Sequence, residues 1–67
     1  MTRLGMNREA RSIMARAVRL MEKPDRQGTH SMATKARDNA NMALNARTDE
    51  GARLFLADAR IYLHDAQ

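Results

Sequence analysis

The chain has no cysteine, no tryptophan, one proline and three glycines, and only Phe55 and Tyr62 are aromatic. Each scarcity removes a class of protein. Without cysteine there is no disulfide framework, no thiolate zinc site and no thiol nucleophile. So few glycines leave no Gly-rich loop to cradle a phosphate. Two aromatic side chains offer little for stacking on single-stranded bases. No apolar run approaches the roughly 18 residues of a membrane span, and the first residues carry no apolar stretch of the secretory type. Collagen-like and disordered classes are excluded too, because 43% of the residues are hydrophobic and the net charge is only +4. A small, basic, soluble helical domain over 1–67 remains, and its expected location is the cytoplasm.

What is present is unusual in kind. Twelve of the 67 residues are Ala and six are Met, and ten of the twelve basic residues are Arg. Arg and Ala have GC-rich codons, which is one reason for their abundance; the guanidinium fork also suits carboxylate and phosphate partners. Few large apolar side chains remain for a core, so an isolated monomer is expected to be marginal. Self-association, or folding against a partner, follows as an expectation.

The clearest break is Glu22-Lys23-Pro24-Asp25-Arg26-Gln27-Gly28-Thr29, and a shorter one falls at Asn45-Ala46-Arg47-Thr48. Pro24 disfavours helix just before it, and Gly28 permits a turn. Three segments result, rich in strong helix formers and poor in β-branched residues. The reading is an all-α, three-helix bundle with helices at about 7–22, 31–46 and 49–65, the last two forming an antiparallel hairpin because their connection is short.

In the first segment Asn7 is a plausible N-cap. Met6, Ala10, Ile13, Met14, Ala17, Val18, Leu20 and Met21 fall within an arc of about 160° at 3.6 residues per turn. In the second, Ser31 or Thr29 can cap, and the apolar arc is Met32, Ala33, Ala36, Ala40, Ala43 and Leu44. That face permits close helix approach but buries little apolar area. In the third, Thr48 caps, and Asp49 and Glu50 sit where the helix dipole favours acids. Ala52, Phe55, Leu56, Ala59, Tyr62, Leu63 and Ala66 form the main core stripe. Leu54 and Ile61 lie on nearly the opposite side, flanked by Asp58 and Asp65.

Two surfaces are candidates for function. The first is the basic face Arg8, Arg11, Arg16, Arg19 and Lys23, interrupted only by Glu9 and Glu22. It is either a solvated outer face, partly neutralised by pairs such as Glu9–Arg16 and Glu22–Arg19, or a footprint for phosphate or an acidic protein. The second is the strip Leu54, Ile61, Asp58 and Asp65. It covers the ends of the other helices, or it forms a seam for a second chain, self or foreign. Methionine spread over the first two segments fills core gaps, with Met42 off the Ala arc and expected at the surface.

Other chemistry finds no footing. A helix-turn-helix needs a tighter connection than the Pro24 loop, and the 46–48 turn has no central Gly. His30 and His64 have no partner at ligand spacing, so no metal and no other cofactor is expected. There is no G-x-S-x-G, no H-E-x-x-H and no acid pair in an apolar setting. The expectation is a non-enzyme without a small-molecule substrate or membrane partner. It self-associates or docks on a larger protein, by analogy with the small inhibitors and regulators encoded by phages and plasmids. The alternatives are a basic accessory protein binding nucleic acid non-specifically through the Arg residues of the first helix, and a structural subunit of a larger assembly.

Overall fold

The computed structural model describes residues 2–67. Three helices, α1 (Arg3–Met21), α2 (Thr29–Asn45) and α3 (Asp49–Ala66), account for the regular structure, with no strand among the described residues. They form an elongated bundle of 35 × 16 × 15 Å. α2 packs closely on both neighbours, whereas the α1–α3 contact is thinner. α2 runs antiparallel to α3: its end joins α3 through the short Ala46–Thr48 turn, and Lys35 lies over the ring of Tyr62, 5.6 Å from its centroid.

The first helix starts at Arg3 rather than at 7. Thr2 is its N-cap, and the Thr2 hydroxyl accepts a hydrogen bond from the Gly5 N–H at 3.1 Å. Asn7 therefore lies inside the helix, where its side chain accepts from Arg3 Nε. α3 begins in the same manner: Thr48 Oγ1 accepts from Gly51 N–H at 3.0 Å. Satisfying an orphan donor of the first turn is what a threonine cap does.

α2 starts two residues earlier than the sequence reading placed it, at Thr29. Neither Ser31 nor Thr29 is its cap. Gly28 occupies that position in the left-handed region (φ 78°), preceded by Gln27 at φ 56°. Two successive positive φ angles reverse the chain, and Gly accepts that geometry without a Cβ penalty. Asp25 then reaches forward and accepts from the His30 N–H at 3.1 Å. Within α2, Asn39 and Asn45 turn their amides back to the carbonyls of Lys35 and Asn41. Each amide thus has a partner four residues back, Asn39 within the helix and Asn45 at its last residue.

The core is mostly alanine. Ala10, Ala17, Ala33, Ala36, Ala40, Ala43, Ala52, Ala59 and Ala66 are buried, joined by Met6, Ile13, Leu56 and Leu63. Every buried residue of α2 is Ala. Without long side chains between them, the helix backbones approach closely, and the larger residues pack around that centre. Met14, Leu20, Met21, Met32, Leu44, Phe55 and Tyr62 are partly buried in this way. Phe55 and Tyr62 thus flank the stripe they were expected to fill. Val18, placed on the core arc by its spacing, is 41% exposed.

One polar residue ties the three helices together. Arg3 Nη2 donates to the carbonyls of Ala43 at 3.2 Å and Ala46 at 2.6 Å, with a longer approach of 3.5 Å to Leu44. Its Nη1 lies 3.3 Å from Asp49 Oδ1. A single guanidinium of the first turn of α1 therefore satisfies carbonyls at the end of α2 and meets the first residue of α3.

Candidate functional site

The face of α3 turned away from the core carries Leu54, 53% exposed, and Ile61, 58% exposed. They are seven positions apart, so they stand about two helical turns from one another on one side. Neither α1 nor α2 covers them, which removes the reading in which they close off the ends of the other helices. Asp58 and Asp65, both exposed, border the strip on one flank. Neither makes an ion pair among the described residues. The structure therefore brings all four residues of the anticipated seam onto one open face.

The opposite flank of α3 carries Arg53 and Arg60. Arg53 meets Glu50 one turn back through Nε and Nη2, the latter at 2.6 Å. Arg60 crosses to α1 and grips Glu9 by both Nε and Nη2, the latter at 2.7 Å. The hydrogen bond from Arg60 in this fork–fork contact holds the Glu9 carboxyl below the usual carboxylate range, against an upward push from burial. The Arg53 hydrogen bond lowers Glu50 in the same way. In both arginines Nη1 has no protein acceptor among the described residues.

The Glu9–Arg60 contact changes the basic face of α1. Glu9 faces α3 and not Arg16, and Glu22 makes no ion pair with Arg19 among the described residues. The expected local neutralisation is absent. Arg8, Arg11, Arg16 and Arg19 are exposed. Lys23, also exposed, lies beyond the helix end, its N–H bonded to the Leu20 carbonyl. Leu4, 60% exposed, and Val18 share the outer side of α1 with these cations. Met42 is 49% exposed on α2, in agreement with its position off the Ala arc.

The histidines play local roles. The His30 ring Nε2 bonds the Lys23 carbonyl, which only accepts, so the ring donates and fixes the connection before α2. His64 is exposed near the end of α3. No group of three His, Cys, Asp or Glu among the described residues could hold a metal ion. An open depression beside the α1–α2 connection is lined by Leu20, Lys23, Pro24, Arg26, Thr29 and Gln67. Its charged side chains are the cations of Lys23 and Arg26. No helix among the described residues is long and apolar enough to cross a membrane.

Sequence reasoning did not identify Arg3 or the Glu9–Arg60 pair. Thr2 was the available signal for the first: Thr2 to Gly5 repeats the spacing of Thr48 to Gly51 and extends the helix back to include Arg3. For the second no local signal exists, because the partners are 51 residues apart. Comparison with protein-family models, curated proteins and solved structures returns no match.

Proposed function

We propose that this chain is a non-enzymatic helical interaction protein, a small regulator or inhibitor that binds protein through the outer face of α3. The observation that supports the reading is the exposure of Leu54 and Ile61 on the side opposite the core. A surface aliphatic pair at two-turn spacing, bordered by two unpaired carboxylates, is suited to receiving the apolar stripe of another helix while charge sets its orientation.

The test is replacement of the strip in the intact chain. Leu54→Glu and Ile61→Glu should keep the helix content of the parent, because both side chains are more than half exposed. Both variants should lose the partners retained by the parent chain in affinity capture from its native host. Undiminished retention by both variants would remove the reading.

A second reading has one observation in its favour: Arg8, Arg11, Arg16 and Arg19 of α1 are exposed and carry no carboxylate partner among the described residues. Four such cations on phosphates give an affinity whose logarithm falls against log salt with a slope of about −3.6. A labelled oligonucleotide at low ionic strength tests it, and the absence of any mobility shift dismisses it.

A further inference from the structure

We infer that the partner of the outer face of α3 is a second copy of this chain, packed parallel to it helix against helix. The inference deepens the proposed docking function and rests on it. The argument is charge complementarity in a fixed register. With Leu54 and Ile61 at the a positions of a heptad, Glu50, Ala57 and His64 occupy d, Asp58 and Asp65 occupy e, and Arg53 and Arg60 occupy g. In a parallel pair of helices, each g side chain faces the e side chain five residues further along the other helix. Arg53 then faces Asp58 of the second copy, and Arg60 faces Asp65 of the second copy. The two-fold axis repeats both pairs, giving four opposite-charge contacts around the two apolar a layers. The d layers set Glu50, Ala57 and His64 each against its own copy, with Glu50 held by Arg53 of its own chain.

The reverse orientation is disfavoured by the same residues. An antiparallel pair sets g against g and e against e. Arginine would then face arginine and aspartate would face aspartate. The geometry of the single chain leaves the parallel pairs available. Asp58 and Asp65 have no ion pair among the described residues. Arg53 and Arg60 use Nε and Nη2 within the chain and keep Nη1. The seam also lies diametrically opposite the buried Ala52, Leu56, Ala59 and Leu63, so the two bundles extend away from each other without collision. The interface is isologous and closes at two copies. It is small, with Ala57 as its middle d residue, so association is weak and reversible.

Sedimentation equilibrium of the full chain from about 10 µM to 1 mM reads this range of affinity. A monomer–dimer equilibrium is expected, weakened at least tenfold by Leu54→Glu or Ile61→Glu. Asp58→Arg should weaken it as well, and the double variant Arg53→Asp/Asp58→Arg should restore it, because the swap rebuilds the pair between chains. Orientation is read by cysteine, which the chain lacks. Ile61→Cys alone should oxidise to a covalent dimer at least tenfold faster than Ser12→Cys on α1, because identical a residues face each other only in the parallel pair.

A strict monomer at the highest concentration overturns the inference. Growth beyond the dimer does so too, since it signals head-to-tail packing of α1 on α3. Preferred linkage of Leu54→Cys to Ile61→Cys overturns it by showing the antiparallel pair. If the chain stays monomeric but the glutamate variants still lose a captured partner, the second copy is wrong and the docking function stands. If those variants change neither measurement, both fall.

Discussion

Arg3 gives the sharpest test of how this bundle is held. Its side chain is only 27% exposed, and its guanidinium serves carbonyls of Ala43 and Ala46 together with the Asp49 carboxylate. The last carbonyls of an α-helix have no partner within the helix. Here the chain turns beneath the first turn of α1, where Arg3 donates to the Ala46 carbonyl and shares the Ala43 carbonyl with the Ala46 N–H. Arg3→Met keeps the stem and removes all the donors. A hydrogen bond from a charged donor contributes about 1.5–3 kcal/mol, and water replaces part of it at a half-open site. We expect a net loss of about 2 kcal/mol, equivalent in a domain of this size to about 8–16 °C in Tm.

Two companion variants separate the causes. Arg3→Lys retains the charge but places one compact ammonium where the fork reaches several acceptors, so it should recover less than half of the loss. Asp49→Asn removes the ion pair, whose carboxylate is 75% exposed, and the favourable dipole contact in the first turn of α3, and should cost about 1 kcal/mol or less. Thermal unfolding followed by helical circular dichroism, with urea titration as a second measure, reads all three. A Tm for Arg3→Met within about 3 °C of the parent would refute the clamp. Equal losses for Arg3→Met and Asp49→Asn would assign the effect to charge pairing instead of carbonyl capping.

Other perturbations follow from the same structure. Ala40→Leu forces a larger side chain between closely packed backbones and should destabilise by about 1–3 kcal/mol in urea unfolding, whereas Leu54→Ala, at an exposed position, should change monomer stability little. Gly28→Ala adds a Cβ at φ 78°, where there is open space but an unfavourable backbone conformation, and should cost about 1 kcal/mol by the same assay. The Glu9 carboxyl titrates lower in the folded chain than in the unfolded one, so its contribution is complete above the ordinary glutamate range and disappears as pH falls through its folded value. Glu9→Gln should therefore be less stable near neutrality and show a shallower acid limb in Tm against pH.

The parts of the fold legible in the sequence are those set by local chemistry. Thr48 followed by Asp49 and Glu50 marks the start of α3, and the structure places it there. The two-faced character of α3 was readable as well, because periodicity places Leu54 and Ile61 opposite Leu56 and Leu63 whatever the neighbours do. The sequence reading starts α1 at Asn7, which leaves Gly5 outside the helix. Capped by Thr2, it is instead the residue whose N–H closes the first turn. The site residues divide by the same logic. The strip lies on one helix and is set by spacing, whereas the neutralisation of the basic face depended on which neighbour Glu9 chose. That choice is made by a residue on another helix.

Alanine at the centre links these observations to association. In most small bundles the largest apolar side chains define the interior; here α2 contributes only alanines to it, while Leu54 and Ile61 remain outside. Close backbone approach supplies dispersion contacts but removes little apolar area from water. The isolated bundle therefore relies on polar ties such as Arg3, and its exposed aliphatic side chains lie on α1, as Leu4 and Val18, and on α3, as Leu54 and Ile61. Pairing through α3, as proposed, would stabilise the folded chain, because a partner that binds only the folded state shifts the unfolding equilibrium by mass action. Tm should accordingly rise as protein concentration is raised through the dimerisation range, and Leu54→Glu should remove the rise without lowering the dilute-solution Tm by more than a few degrees. A Tm independent of concentration in the parent chain would separate stability from association and leave the alanine core to stand without help from a second copy.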